Sequence, residues 1–169
     1  DRVSGQAGDD RLVGGDGDDR LVGGAGDDEV RGDAGDDVLR GDAGRDMLYG
    51  GRGDDDLIGG ADGDRLFGEA GDDRLFGQGG DDILVGGWGA DFMAGGAGDD
   101  MFVFAGNFGF DRISDFRPGD VLVFRGFDAA DIHVAETGMA RITVDGFGEV
   151  SLLGVRADTF DADDAIHIQ

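Results

Sequence analysis

The chain has 169 residues, a formal net charge of −25, and 14 basic residues, all of them Arg. So acidic a surface repels nucleic acid and anionic membranes and attracts cations, metal ions above all. With no Cys and a single Pro beside 37 Gly, disulfides, thiolate chemistry and collagen-like structure are excluded, and no apolar run approaches the roughly 20 residues of a membrane-spanning helix.

Abundant Gly and Asp fit either a disordered acidic chain or a turn-rich repeat neutralised from outside. Internal periodicity decides between them. Counting from Gly5, repeats of nine residues start at 5, 14, 23, 32, 41, 50, 59, 68, 77, 86 and 95 and run unbroken to residue 103. Position 1 is always Gly, and position 4 is Gly in every repeat but one, where Asp62 stands. Position 6 is always Asp: Asp10, Asp19, Asp28, Asp37, Asp46, Asp55, Asp64, Asp73, Asp82, Asp91 and Asp100. Position 8 is always apolar, from Leu12 and Leu21 to Met93 and Phe102. Residues 1–4 fit the tail of an earlier repeat, with Asp1 at position 6 and Val3 at position 8. The opening Asp-Arg-Val, with no Met and no signal peptide, reads as a piece of a longer protein.

After a two-residue slip, Gly106, Gly109, Asp111 and Ile113 form a degenerate twelfth repeat. Composition then shifts: residues 104–169 hold 8 of the 12 Phe, which places a boundary near residue 104 and divides the chain into 1–103 and 104–169. Apolar or alternating runs at 121–124, 140–144 and 149–153 read as strands. Residues 158–165 read as a short helix or turn.

Within the unit, positions 7–9 read as a very short strand with position 8 pointing inward, and positions 1–6 as a turn that Gly makes possible. One unit cannot bury its single apolar residue, but a stack of units builds a continuous core. Stacking also aligns the position-6 carboxylates, whose mutual repulsion a hard divalent cation reverses. Calcium takes six to eight oxygens from carboxylates and carbonyls, both of which such a turn supplies.

The pattern Gly-Gly-x-Gly-x-Asp-x-apolar-x resembles the calcium-binding repeat of the RTX proteins. The resemblance implies an all-β fold, a right-handed parallel β-roll with two repeats per turn and a C-terminal β-rich cap. Loops on one side then lie two repeats apart, Asp19 beside Asp37 and Asp28 beside Asp46, and the array offers up to about nine intact Ca2+ sites. The implied ligands are the position-6 Asp residues together with Asp111, plus the backbone carbonyls of Gly14, Gly23, Gly32, Gly41, Gly50, Gly59, Gly68, Gly77, Gly86 and Gly95. Partial sites at the ends involve Asp1 or Asp111. Position 5, Asp in most repeats, is read as a solvated charge; Arg45, Gly63 and Ala90 there, and Asp62 at position 4, predict weaker sites around 41–46, 59–64 and 86–91.

Two repeats per turn also expose Met47, Tyr49, Phe67, Ile83, Val85, Met101 and Val103 on one sheet, and Val22, Ile58, Phe76 and Phe92 among Arg20, Arg40 and Arg74 on the other. Residues 104–169 are expected to fold back over the last turns, and Trp88 is read as local packing. The stretch from Asp111 to Phe124, with 150–155 after it, resembles the post-repeat region of serralysin-type exoproteins, which caps the roll and carries a type I secretion signal.

Catalysis finds little support. There is no His-Glu-x-x-His or Gly-x-Ser-x-Gly, and the histidines are only His133 and His167. A repeated carboxylate lattice is not a poised acid–base pair. The first functional reading is a secreted, calcium-dependent folding and secretion module, with the type I secretion machinery and an upstream domain as partners; any catalytic domain would lie N-terminal to it. The alternative is an extracellular polysaccharide- or cell-surface-binding module, like the repeat modules of some alginate epimerases or adhesins.

Overall fold

The computed structural model describes residues 1–135, 139–156 and 162–169. Twelve strands occupy the repeats: β1 (Arg2–Ala7), β2 (Arg11–Asp16), β3 (Arg20–Ala25), β4 (Glu29–Ala34), β5 (Val38–Ala43), β6 (Met47–Arg52), β7 (Asp56–Ala61), β8 (Arg65–Ala70), β9 (Arg74–Gly79), β10 (Ile83–Trp88), β11 (Phe92–Ala97) and β12 (Met101–Ala105). Odd strands pair with odd and even with even, all parallel, so the chain alternates between two facing sheets and advances one rung with every second repeat. This is a parallel β-roll with two repeats per turn, as the resemblance implies.

Strands β1 to β11 are each six residues, not three, because they run from position 7 through position 3 of the next repeat; β12 has five. The ladder passes over position 1: Val22 pairs with Arg40 and Gly24 with Asp42, while Gly23 and Gly41 are skipped. Position 1 is therefore a bend within an extended segment, and only positions 4–6 form the turn. Position 2 needs a left-handed backbone even where it is not Gly, as at Asp42 (φ 78°) and Gln78 (φ 79°); Asp bears this conformation better than most non-Gly residues.

Position 8 forms the core. Leu21, Val30, Leu39, Leu48, Leu57, Leu66, Leu75 and Leu84 are fully buried in a single file between the sheets. Positions 7 and 9 are half-buried or exposed, except Val103, which was expected on the surface and is 4% exposed, and they pack sideways along each sheet, as in the stacked Tyr49 and Phe67 rings, 4.9 Å apart. Trp88, read above as local packing, is 68% exposed.

Beyond the repeats, β13 (Gly109–Ile113) and β14 (Val121–Arg125) add one more strand to each sheet. The chain then leaves the parallel pattern through β15 (Ile132–Val134), β16 (Met139–Val144) and β17 (Gly148–Arg156). β17 pairs parallel to β13, antiparallel β16 and β15 follow, and α1 (Ala162–Ala165) leads to β18 (Ile166–Ile168), which pairs parallel to β14. The segment thus seals the roll by extending both sheets rather than folding back over their outer faces. Residues 158–161 of the expected helix or turn lie outside the described residues. The core changes character here, since Phe104, Phe108, Phe124 and Phe127 pack ring to ring at 5.1–6.3 Å.

Candidate metal centres

The position-6 aspartates fall into two columns along the roll. One runs Asp10, Asp28, Asp46, Asp64, Asp82, Asp100; the other runs Asp19, Asp37, Asp55, Asp73, Asp91, Asp111. In both, the backbone N–H of each Asp donates to Oδ1 of the next Asp in the column at 2.7–3.0 Å. From Asp19 through Asp100, and at Asp111, the residues are only 1–5% exposed.

The second oxygen has no such partner. Oδ2 of all twelve carboxylates is buried without a hydrogen bond. A buried, half-satisfied carboxylate is costly as an anion. Burial pushes the acids up from the ordinary Asp range, the backbone N–H partly offsets this, and neighbouring carboxylates push further for most of them. Asp46 and Asp91 stand at about 6, Asp55, Asp64, Asp73 and Asp82 at about 7, and Asp111 at about 8.

The glycine at position 1 explains how Oδ2 fits. A Cβ built on Gly68 would lie 2.5 Å from the Gly86 carbonyl oxygen and closer still to Asp73 Oδ2. The same cradle, an Asp Oδ2 and the position-1 carbonyl of the next loop on that side, recurs at Gly14, Gly32, Gly50, Gly59 and Gly77. Of the carbonyls implied by the resemblance, the structure thus brings those of Gly32, Gly50, Gly68, Gly77, Gly86 and Gly95 to an orphaned carboxylate. At the seats that Gly23, Gly41 and Gly59 would complete, the nearest atoms are the carboxylate's own, and Gly14 is itself the first seat on its side.

These donors suit a hard divalent cation. Among the described residues no three carboxylate or imidazole side chains converge, so an ion here must draw on backbone carbonyls as well as carboxylates, which calcium does and softer metals do not favour.

Position 5 behaves differently from the solvated charge expected of it. Oδ1 of Asp36 accepts the Asp54 N–H and Oδ1 of Asp54 accepts the Asp72 N–H, at 2.9–3.0 Å. This outer ladder runs opposite to the inner one and holds neighbouring turns together without metal. It lapses where Arg45 and Gly63 bring no carboxylate, and there an open groove of about 510 Å³ lies along Asp9, Asp27, Arg45 and Gly63.

One aspartate escaped the sequence reading. Asp120 is buried, and its Oδ1 takes the Asp100 N–H at 3.0 Å, which makes it the seventh member of the first column. Its repeat, residues 115–120, has lost the glycines at positions 1, 2 and 4, but a step of nine from Asp111 reaches Asp120 and from Ile113 reaches Leu122.

A parallel roll whose turns stack orphaned carboxylates against carbonyls defines a calcium-binding repeat protein. The RTX calcium-binding nonapeptide repeat matches in four copies, at residues 1–30, 31–66, 58–93 and 67–102, and the chain belongs to the RTX family. It binds Ca2+ at multiple sites, and the repeat module is a non-catalytic β-roll of the kind found in secreted proteins. No curated protein sequence matches the chain. Among solved structures, the extracellular lipase LipA from Serratia marcescens superposes with TM-score 0.52 and 24% identity over 94% of this chain and 40% of the lipase. The chain thus spans two fifths of that protein's length, and the likeness is one of fold. The R3 subunit of the AlgE6 mannuronan C5-epimerase from Azotobacter vinelandii gives TM-score 0.45 and 29% identity over 73% of this chain and 76% of the subunit.

Proposed function

We propose that this chain is the calcium-dependent folding and secretion module of a larger, type I-secreted exoprotein, with a calcium-binding roll at 1–103 and a cap at 104–169. The observation that carries this reading is the file of twelve buried carboxylate oxygens without a partner. A metal that binds only the folded state adds its binding free energy to folding. At low intracellular calcium the carboxylates repel and the chain stays open for export. At extracellular calcium the ions neutralise the columns, the roll closes, and the closed roll assists export and the folding of the upstream domain. The position-6 Asp residues, Asp111 among them, and the position-1 carbonyls are the proposed ligands. Far-UV circular dichroism with size-exclusion, before and after calcium is added to the chelated chain, tests this. A change from expanded coil to compact β, selective for calcium over magnesium, is expected; a compact β signal indifferent to chelator would remove the switch.

One observation favours the second reading, an extracellular polysaccharide- or surface-binding module. On the outer face of the eight-stranded sheet the Arg31 guanidinium lies 5.1 Å from the Tyr49 ring centre, and Tyr49 stacks on Phe67. Binding of an acidic polysaccharide that weakens on Tyr49→Ala without loss of β signal would support it.

A further inference from the structure

The first column ends differently from the second. Its last joint lies between the loop 95–100 and the loop 115–120, whose sequence Asp-Phe-Arg-Pro-Gly-Asp replaces the glycine-rich turn. Arg117, Pro118, Gly119 and Asp120 form a tight turn closed by the Asp120 N–H to the Arg117 carbonyl at 3.1 Å. Pro at its second place and Gly119 at φ 108° at its third are what a type II turn requires. A Cβ on Gly119 would collide with Asp99 Oδ1 beneath it. The Asp120 carboxylate reaches back to the Arg117 N–H at 2.9 Å, so both its oxygens are bonded, unlike those of the twelve acids before it. Phe116 packs against Phe102 at 6.2 Å and pins the loop to the core.

This rigid turn delivers the Arg117 guanidinium onto the preceding loop. Nη2 donates to the Gly98 carbonyl at 2.9 Å and lies 3.7 Å from the orphaned Oδ2 of Asp100. Among the described residues it is the one side-chain cation within 4 Å of a position-6 carboxylate. Asp115 completes the joint, its two oxygens accepting the Gly95 and Gly96 N–H groups at 3.1 and 2.9 Å. The second column has no such closure: Asp111 ends it with Oδ2 bare.

We propose that Arg117 is a tethered cation standing in place of a calcium ion at the last joint of the first column, closing that joint to metal. A guanidinium supplies the positive charge that a buried carboxylate demands, and here it also takes a loop carbonyl of the sort calcium would use. The final turn is therefore held together at any calcium concentration, and the calcium column stops one joint short of the cap. The inference rests on the calcium reading above.

Native mass spectrometry of the whole chain at saturating calcium tests it, with Arg117→Gln and Arg117→Lys beside the wild type. Arg117→Gln is expected to carry one more calcium than wild type, and Arg117→Lys the wild-type number. Equal counts for Arg117→Gln and wild type overturn the proposal while leaving the calcium reading intact; no calcium on any chain overturns that reading itself. Should Arg117→Gln not be compact in calcium, amide exchange in the wild type decides. Protection at Asp100 and Asp120 that survives chelation supports the tethered cation, and exchange there as fast as at Asp46 and Asp64 defeats it.

Discussion

The repeats and the C-terminal segment are joined by the same two sheets and are held together by opposite means. In the repeats the interior is one apolar side chain per nine residues, bordered by buried carboxylates whose second oxygen has no hydrogen-bond partner. In the C-terminal segment five phenylalanines, Phe147 the outermost, share one ring cluster, with Ile142, Val144, Val150 and Leu152 in the core beside it. On the function proposed above, the first is a scaffold completed by an ion and the second a small hydrophobic core that needs none. On that proposal a single continuous ladder passes from calcium-dependent to calcium-independent stability within one turn.

The largest effect should come from removing calcium. Chelation is expected to abolish amide protection from residue 10 to about residue 90 and to leave it at β13, β14, β16 and β17. Uniform loss, or uniform retention, breaks the comparison. Next comes Phe124→Ala, which empties the centre of the ring cluster and should cost about 3–5 kcal/mol, read as loss of the structure that survives chelator. Gly68→Ala attacks the repeats alone. Its methyl must displace Asp73 Oδ2 or the Gly86 carbonyl, at about 1–3 kcal/mol for the overpacking, with a weakened calcium site in titration calorimetry.

Acid sharpens the contrast further. Asp55, Asp64, Asp73 and Asp82, at about 7 in the metal-free roll, bind more protons folded than unfolded. Their contribution therefore opposes the metal-free fold increasingly as pH rises from about 4 to about 7. Without calcium, the β signal should be stronger at pH 5 than at pH 8, and calcium uptake near pH 6.5 should release protons. The smallest effect is expected of Asp54→Asn, since an amide oxygen can still accept the Asp72 N–H; its cost should stay within about 0.5 kcal/mol in calcium-dependent melting.

Much of this was legible in the residues, because a nine-residue period leaves position 6 and position 8 nowhere else to go. Asp10 through Asp100 recur from spacing alone, and their sorting into two columns came from the two repeats per turn that the resemblance implies. Strand length was not legible: nothing in Gly-Gly-x announces that positions 1–3 stay in the ladder around a bend, since Gly is as apt to turn as to extend. Nor was position 5, where Asp54 and a solvated Asp look alike until a neighbour two repeats away presents its N–H. Asp120 hid because its loop traded the glycines, the visible part of the motif, for Asp115, Arg117 and Pro118, which do the same joining by other bonds.

The inner ladder has a direction. Each position-6 N–H is held by a carboxylate from the turn nearer the C terminus, so the buried bonds of a turn close only after its successor is in place, whereas the exposed outer ladder runs the other way. Folding of the repeats should therefore nucleate at the capped end and zip toward residue 1, rung by rung, as a one-dimensional array permits. Growth then runs backward along the sequence, from the residues synthesised last to those synthesised first, and pulse-labelled amide exchange after a calcium jump would register it as protection reaching Asp91 before Asp55 and Asp55 before Asp19.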